Sequence, residues 1–166
     1  MFFPCLENLK QEKFHEKSIE LLDWWLGTRR QNTLRSLNPL QFSLDCNIDV
    51  QHSLLLFSHC VYNDKIKLMK QRITLFCPVC NHRIQSSQGK MEKNAYECHN
   101  CGTKIIASLL EDYIEITFEL TQSPTKAAEV NEPVETYQGN APGLRMSDLG
   151  QYAAEDDSIR RLYNCY

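Results

Sequence analysis

The sequence has no apolar run approaching the about 20 residues that a membrane-spanning helix needs. No membrane role is therefore expected. A cationic excess is missing too: 18 Lys+Arg stand against 21 Asp+Glu, a formal charge of -3, which excludes a generally basic protein that coats nucleic acid. The apolar start Met1-Phe2-Phe3-Pro4-Cys5-Leu6 lacks a basic leader and meets Glu7, Lys10 and Glu12 at once, so no secretory signal is expected. With nothing marking secretion, structural disulfides are not expected and the reducing cytoplasm is the expected location. The chain also lacks a His-Glu-x-x-His pair, a P-loop, a Gly-rich dinucleotide loop and a Gly-x-Ser-x-Gly elbow. His59 and Cys60 adjoin, but neighbours on a helix point about 100° apart and form no catalytic pair by adjacency. No enzymatic activity is expected.

Cysteine, by contrast, is abundant. Four of the eight form Cys77-Pro78-Val79-Cys80 and Cys98-His99-Asn100-Cys101, with residues 81–97 between them. That spacing is the mark of a four-cysteine zinc site. Each Cys-x-x-Cys can form a tight knuckle with both sulfurs facing one point, and two knuckles complete a tetrahedron of thiolates about 2.3 Å from the metal. Gly102 permits the positive φ such a knuckle needs. A thioredoxin-type redox pair would be single and set in a strand-helix-strand pattern, which is not found here. Four thiolates leave no open coordination position, so one structural Zn²⁺ is expected rather than a catalytic one. His82 and His99 read as exposed knuckle residues. Of the other cysteines (Cys5, Cys46, Cys60, Cys165), Cys46 and Cys60 fall on apolar helical faces and read as small core residues.

Around this centre the expected fold class is α+β: a small winged helix-turn-helix continuous with a four-cysteine zinc ribbon, followed by a flexible C-terminal tail. Residues 1–33 hold an amphipathic helix from Phe14 to Leu26, with Ile19, Leu22 and Leu26 on one face and a stop near Gly27. Of Trp24 and Trp25, one is expected to pack inward and the other to lie near the rim. Residues 34–72 read as the winged helix-turn-helix. Asn38-Pro39 starts one helix, Asp49 caps a second over Val50 to Tyr62, and Lys65-Ile66-Lys67-Leu68 alternates as a short wing strand. Residues 73–120 form the ribbon, with extended stretches at Ile73–Phe76, Ala95–Glu97 and Tyr113–Leu120.

The second helix is a poor reader of DNA. Its first residues, Val50, Gln51, His52 and Ser53, carry no Lys or Arg, and Asp45 and Asp49 lie where phosphates would approach. The motif reads as a packing scaffold. Residues 65–104 differ, with eight Lys+Arg against Glu92 and Glu97. Lys65, Lys67, Lys70 and Arg72 are therefore the nucleic-acid contacts of an alternative reading, a transcriptional regulator using wing and ribbon. The leading expectation is a regulatory adaptor that docks onto a partner protein through wing, ribbon or tail. Residues 121–143 read as a linker with Pro124, Pro133 and Pro142. In the tail, 144–166, Leu144, Met146, Leu149, Tyr152, Ile159, Leu162 and Tyr163 are interleaved with charge, a pattern for a short docking segment. Ser147-Asp148 and Asp156-Asp157 are each placed to cap a short helix.

In order, Asn38-Pro39-Leu40, the helix-turn-helix, Cys77-Pro78-Val79-Cys80, Cys98 to Cys101 and Ile114-Glu115-Ile116-Thr117-Phe118 resemble a domain of unknown function found ahead of the catalytic domain in many bacterial class III adenylate/guanylate cyclases. The likeness covers about residues 34–122. It implies a winged-helix plus zinc-ribbon fold and a regulatory role beside an effector. The departures are Leu40-Gln41, where that family tends to carry an aromatic and a basic residue, and a remainder after Leu120 too short for a cyclase domain. The resemblance therefore implies no cyclase activity.

Overall fold

The computed structural model describes residues 1–12, 14–126 and 139–163. The chain divides into two compact units: Met1–Lys70 with Phe118–Pro142, and Gln71–Thr117 with Gly143–Tyr166. The structure is mixed helix and sheet.

The first unit opens with a 3-10 helix, Pro4–Glu12. Phe3, Leu6 and Leu9 recur every three residues, which is the period of that helix, and all three are buried. The amphipathic helix α1 runs Glu16–Gly27 and turns Ile19, Leu22, Trp25 and Leu26 inward. Trp25 is buried and Trp24 is exposed, which divides the pair as its amphipathic setting requires. Asp23, also buried, accepts the backbone N–H groups of Phe2 (2.8 Å) and Phe3 (2.7 Å) and so holds the start of the chain on α1. Helix α2, Pro39–Cys46, begins where Asn38 accepts the Leu40 N–H. Asn47 ends it in the left-handed region at φ 50°, and Asp49 caps α3, Val50–Tyr62, by accepting the His52 N–H. An aromatic chain fills the core: Trp25 against Phe42 at 5.2 Å, Phe42 against Phe57 at 5.9 Å, and Phe57 against Phe118 at 5.2 Å. Leu37 and Phe118 exchange backbone hydrogen bonds, which fixes the approach to α2.

The wing differs from expectation. Residues 64–66 form a turn, and the strand begins only at Met69. Asn63 explains this: its side chain accepts the Lys65 N–H and its carbonyl accepts those of Ile66 and Lys67, an alternative that four alternating residues do not outweigh. Lys67 sits at φ 39°.

The second unit is built on strands. β1 (Met69–Phe76) enters it at Gln71, and β5 (Ile114–Leu120) leaves it at Thr117. With β2 (Arg83–Gln88) and β6 (Leu144–Arg145) they form a sheet of order β2-β1-β5-β6. β1 and β2 pair antiparallel, with a register shift between Leu75 and Phe76. A separate antiparallel pair joins β3 (Ala95–Glu97) to β4 (Lys104–Ile106).

The expected flexible tail is corrected. Leu144–Arg145 pairs with Glu115–Ile116 as β6, and helices α4 (Met146–Ala153) and α5 (Asp157–Tyr163) follow. Asp148 accepts the Arg145 N–H and Asp156 accepts that of Ser158, the two capping roles read from sequence. Buried Gln71 donates from Nε2 to the Leu162 carbonyl at 2.8 Å, tying the last turn of α5 to β1. The expected linker, 121–143, is described at 121–126 and 139–143 only, and its middle, 127–138, lies outside the described residues, as do Lys13 and 164–166.

Candidate metal centre

Each cysteine pair occupies the loop of a hairpin, the first between β1 and β2, the second between β3 and β4. The two loops share one backbone design. The Cys77 N–H donates to the His82 carbonyl and the Cys98 N–H to the Thr103 carbonyl, each at 2.9 Å. In return the Cys77 carbonyl accepts the Asn81 N–H, and that of Cys98 accepts the Gly102 N–H. Asn81 and Gly102 both take positive φ, 55° and 73°. Gly102 was legible in the sequence. Asn81 was not, although asparagine is the non-glycine residue that reaches this region most readily.

These matched loops bring the sulfurs of Cys77, Cys80, Cys98 and Cys101 within 4.8 Å of one another. Cys77 to Cys101 and Cys80 to Cys98 are each 3.6 Å. A tetrahedron with sulfurs about 2.3 Å from its centre has edges of about 3.8 Å. A disulfide would need about 2.05 Å. The spacing suits ligands around an ion and not bonded pairs. Cys77 and Cys98, first in their loops, are buried, while Cys80 is half-buried and Cys101 exposed.

Local donors favour thiolate on the outer sulfurs. The Thr103 hydroxyl, 3.1 Å from Cys101 Sγ, and then the Thr103 N–H hold the Cys101 thiol down to about 6. The Asn100 side chain, then the His82 N–H, lower Cys80. Burial pushes Cys98 up to about 11, against N–H groups of Cys101 and Asn100 that favour its thiolate. A buried thiol of this kind is inert alone and loses its proton to a metal. The donor set and its geometry fit a four-coordinate ion.

No protein-family model, curated protein or solved structure matches the chain.

Other residues singled out in the sequence are arranged differently. Lys65 donates to Gln11, and Lys67 pairs with Asp64 at 2.8 Å on an exposed turn. Lys65, Lys67 and Lys70 belong to the first unit and Arg72 to the second. In the tail Leu144, Met146, Leu149, Ile159 and Leu162 are fully buried within the second unit, and only the edges of Tyr152 and Tyr163 reach solvent. Tyr163 donates to Glu111 at 2.6 Å. As placed, the apolar tail residues form core instead of a free docking face. Cys60 is buried, as expected of a core cysteine, and Cys46 is half-buried. Among the described residues no helix is long and apolar enough to cross a membrane.

Proposed function

We propose that the chain is a non-catalytic module, held in shape by one structural Zn²⁺ on Cys77, Cys80, Cys98 and Cys101, that docks onto another protein. The observation that carries this reading is the pair of matched hairpin loops with four sulfurs within 4.8 Å. An all-thiolate tetrahedral set favours zinc or iron, and zinc needs no redox partner. With every position filled by protein, the ion would have none left for substrate. Exposed apolar side chains in the same unit support docking: Val79, at the tip of the first loop, is 70% exposed and Leu109 is 74% exposed. The likeness to the cyclase-associated domain, which rests on motif order, points to the same regulatory class. Metal analysis and affinity capture test the reading together. It expects one zinc per chain and a defined partner retained by the intact chain but lost with Cys98→Ser. A folded chain without zinc, or one that binds its partner equally well after Cys98→Ser, would overturn it.

A further inference from the structure

The N-terminal end of α2 reads a stretch of main chain. Gln41 Oε1 accepts the Ala141 N–H at 2.8 Å, and its Nε2 donates to the Gly139 carbonyl at 3.3 Å and to Asp45 at 2.7 Å. Asn38 Nδ2 donates to the Pro142 carbonyl at 2.8 Å. Two side chains thus hold three backbone groups of Gly139–Pro142, while Gly139, Asn140 and Pro142 themselves stay exposed. A proline at 142 disfavours helical backbone at Ala141 and so suits the extended form in which a bound peptide offers its backbone groups.

Beside this contact lies a cavity of about 430 Å³, lined by Trp25, Arg29, Ser36, Gln41, Asn140 and Ala141 among others. That volume is in the range of ligand pockets. The Arg29 guanidinium lies 3.7 Å over the Trp25 ring and pairs with buried Asp45, which also accepts the Trp25 indole N–H. Arg29 Nε is buried with no hydrogen-bond partner among the described residues. A buried donor left this way is costly. The chain's own segment does not relieve it, because alanine, the residue that both meets Gln41 and lines the cavity, offers only a methyl group.

We infer that Asn38, Gln41 and the Trp25–Arg29 cavity form a binding site for an extended peptide of a partner protein, occupied in this structure by the chain's own Gly139–Pro142. The partner's peptide carries a side-chain amide before a proline. A glutamine in place of alanine has the cavity to enter and a carbonyl for the Arg29 donor. A neutral acceptor is favoured over a carboxylate because Asp45 already balances the guanidinium. This deepens the docking reading by naming where and what the module binds.

The test uses the intact, metal-loaded chain and two labelled synthetic peptides, Gly-Asn-Ala-Pro-Gly-Leu and the same peptide with glutamine for alanine. The glutamine peptide is expected to bind about tenfold more tightly. It should lose binding to Gln41→Ala and its advantage with Arg29→Lys, which keeps the charge but lacks Nε. Saturating peptide should raise amide exchange at Ala141, whose N–H Gln41 accepts, in the unaltered chain, a readout that needs no variant to fold. Equal affinities, no binding at millimolar peptide, or unchanged exchange at the Ala141 amide would overturn the inference. A chain that holds one zinc yet ignores both peptides would remove this site and leave the metal reading intact.

Discussion

The two residues at positive φ in the cysteine loops, Asn81 and Gly102, set how each second sulfur turns toward the centre. Asn81→Gly should leave stability within about 0.5 kcal/mol, as for other exposed positions. Asn81→Val should cost about 1–2 kcal/mol, since a β-branched side chain is forced into the left-handed region. Thermal melts of the metal-loaded variants check this, and equal melting of the two would contradict the shared loop design. Asp23 carries a separate load, three hydrogen bonds onto the amides of Phe2 and Phe3. Asp23→Ala should destabilise by about 2–3 kcal/mol in denaturant titration, because charged-group bonds are lost and donors are left dry. Its partners lie 20 and 21 residues away in sequence, so no local pattern could announce them.

The starts of helices α2 and α3 were legible because their signals are local: Asn38-Pro39 at one and Asp49 at the other. The tail helices were legible only as caps. α4 and α5 span 8 and 7 residues, too few turns to establish a period, and their buried face is defined by the sheet. Burial of Leu162 beneath that arrangement makes Leu162→Ala cost about 2–5 kcal/mol in the unfolding of the second unit. No loss would mean that α5 does not pack as described. The Tyr163–Glu111 bond adds a pH signature. The hydrogen bond to Glu111, with some burial, raises the phenol above its ordinary value near 10. Raised in the folded state, it stabilises below pH 10 and loses that effect as pH climbs through the folded value. Tyr163→Phe should therefore melt slightly lower at pH 8, by under about 1 kcal/mol, and the difference should vanish in strong alkali. A gap that widens with rising pH would contradict the assignment.

At the scale of the whole chain, the four clustered cysteines and the tryptophans fall in different units, with Trp24 and Trp25 in the first and Cys77, Cys80, Cys98 and Cys101 in the second. The first unit has its own aromatic core, while the β3–β4 hairpin that carries the second cysteine pair has strands of only three residues each. A strong chelator should therefore melt the second unit's amide protection while tryptophan fluorescence changes little. Simultaneous loss of both would show that the ion supports the entire fold. The cysteine spacing made the centre readable in the sequence, because four ligands in two knuckles have one economical arrangement. The peptide-holding contact between α2 and 139–142 was not readable, since Gln41 and Ala141 meet across 100 residues. The most direct measurement is X-ray absorption at the zinc edge of the purified chain. It should give four sulfur neighbours at about 2.3 Å. A nitrogen or oxygen neighbour, fewer than four sulfurs, or no stoichiometric zinc would contradict the account.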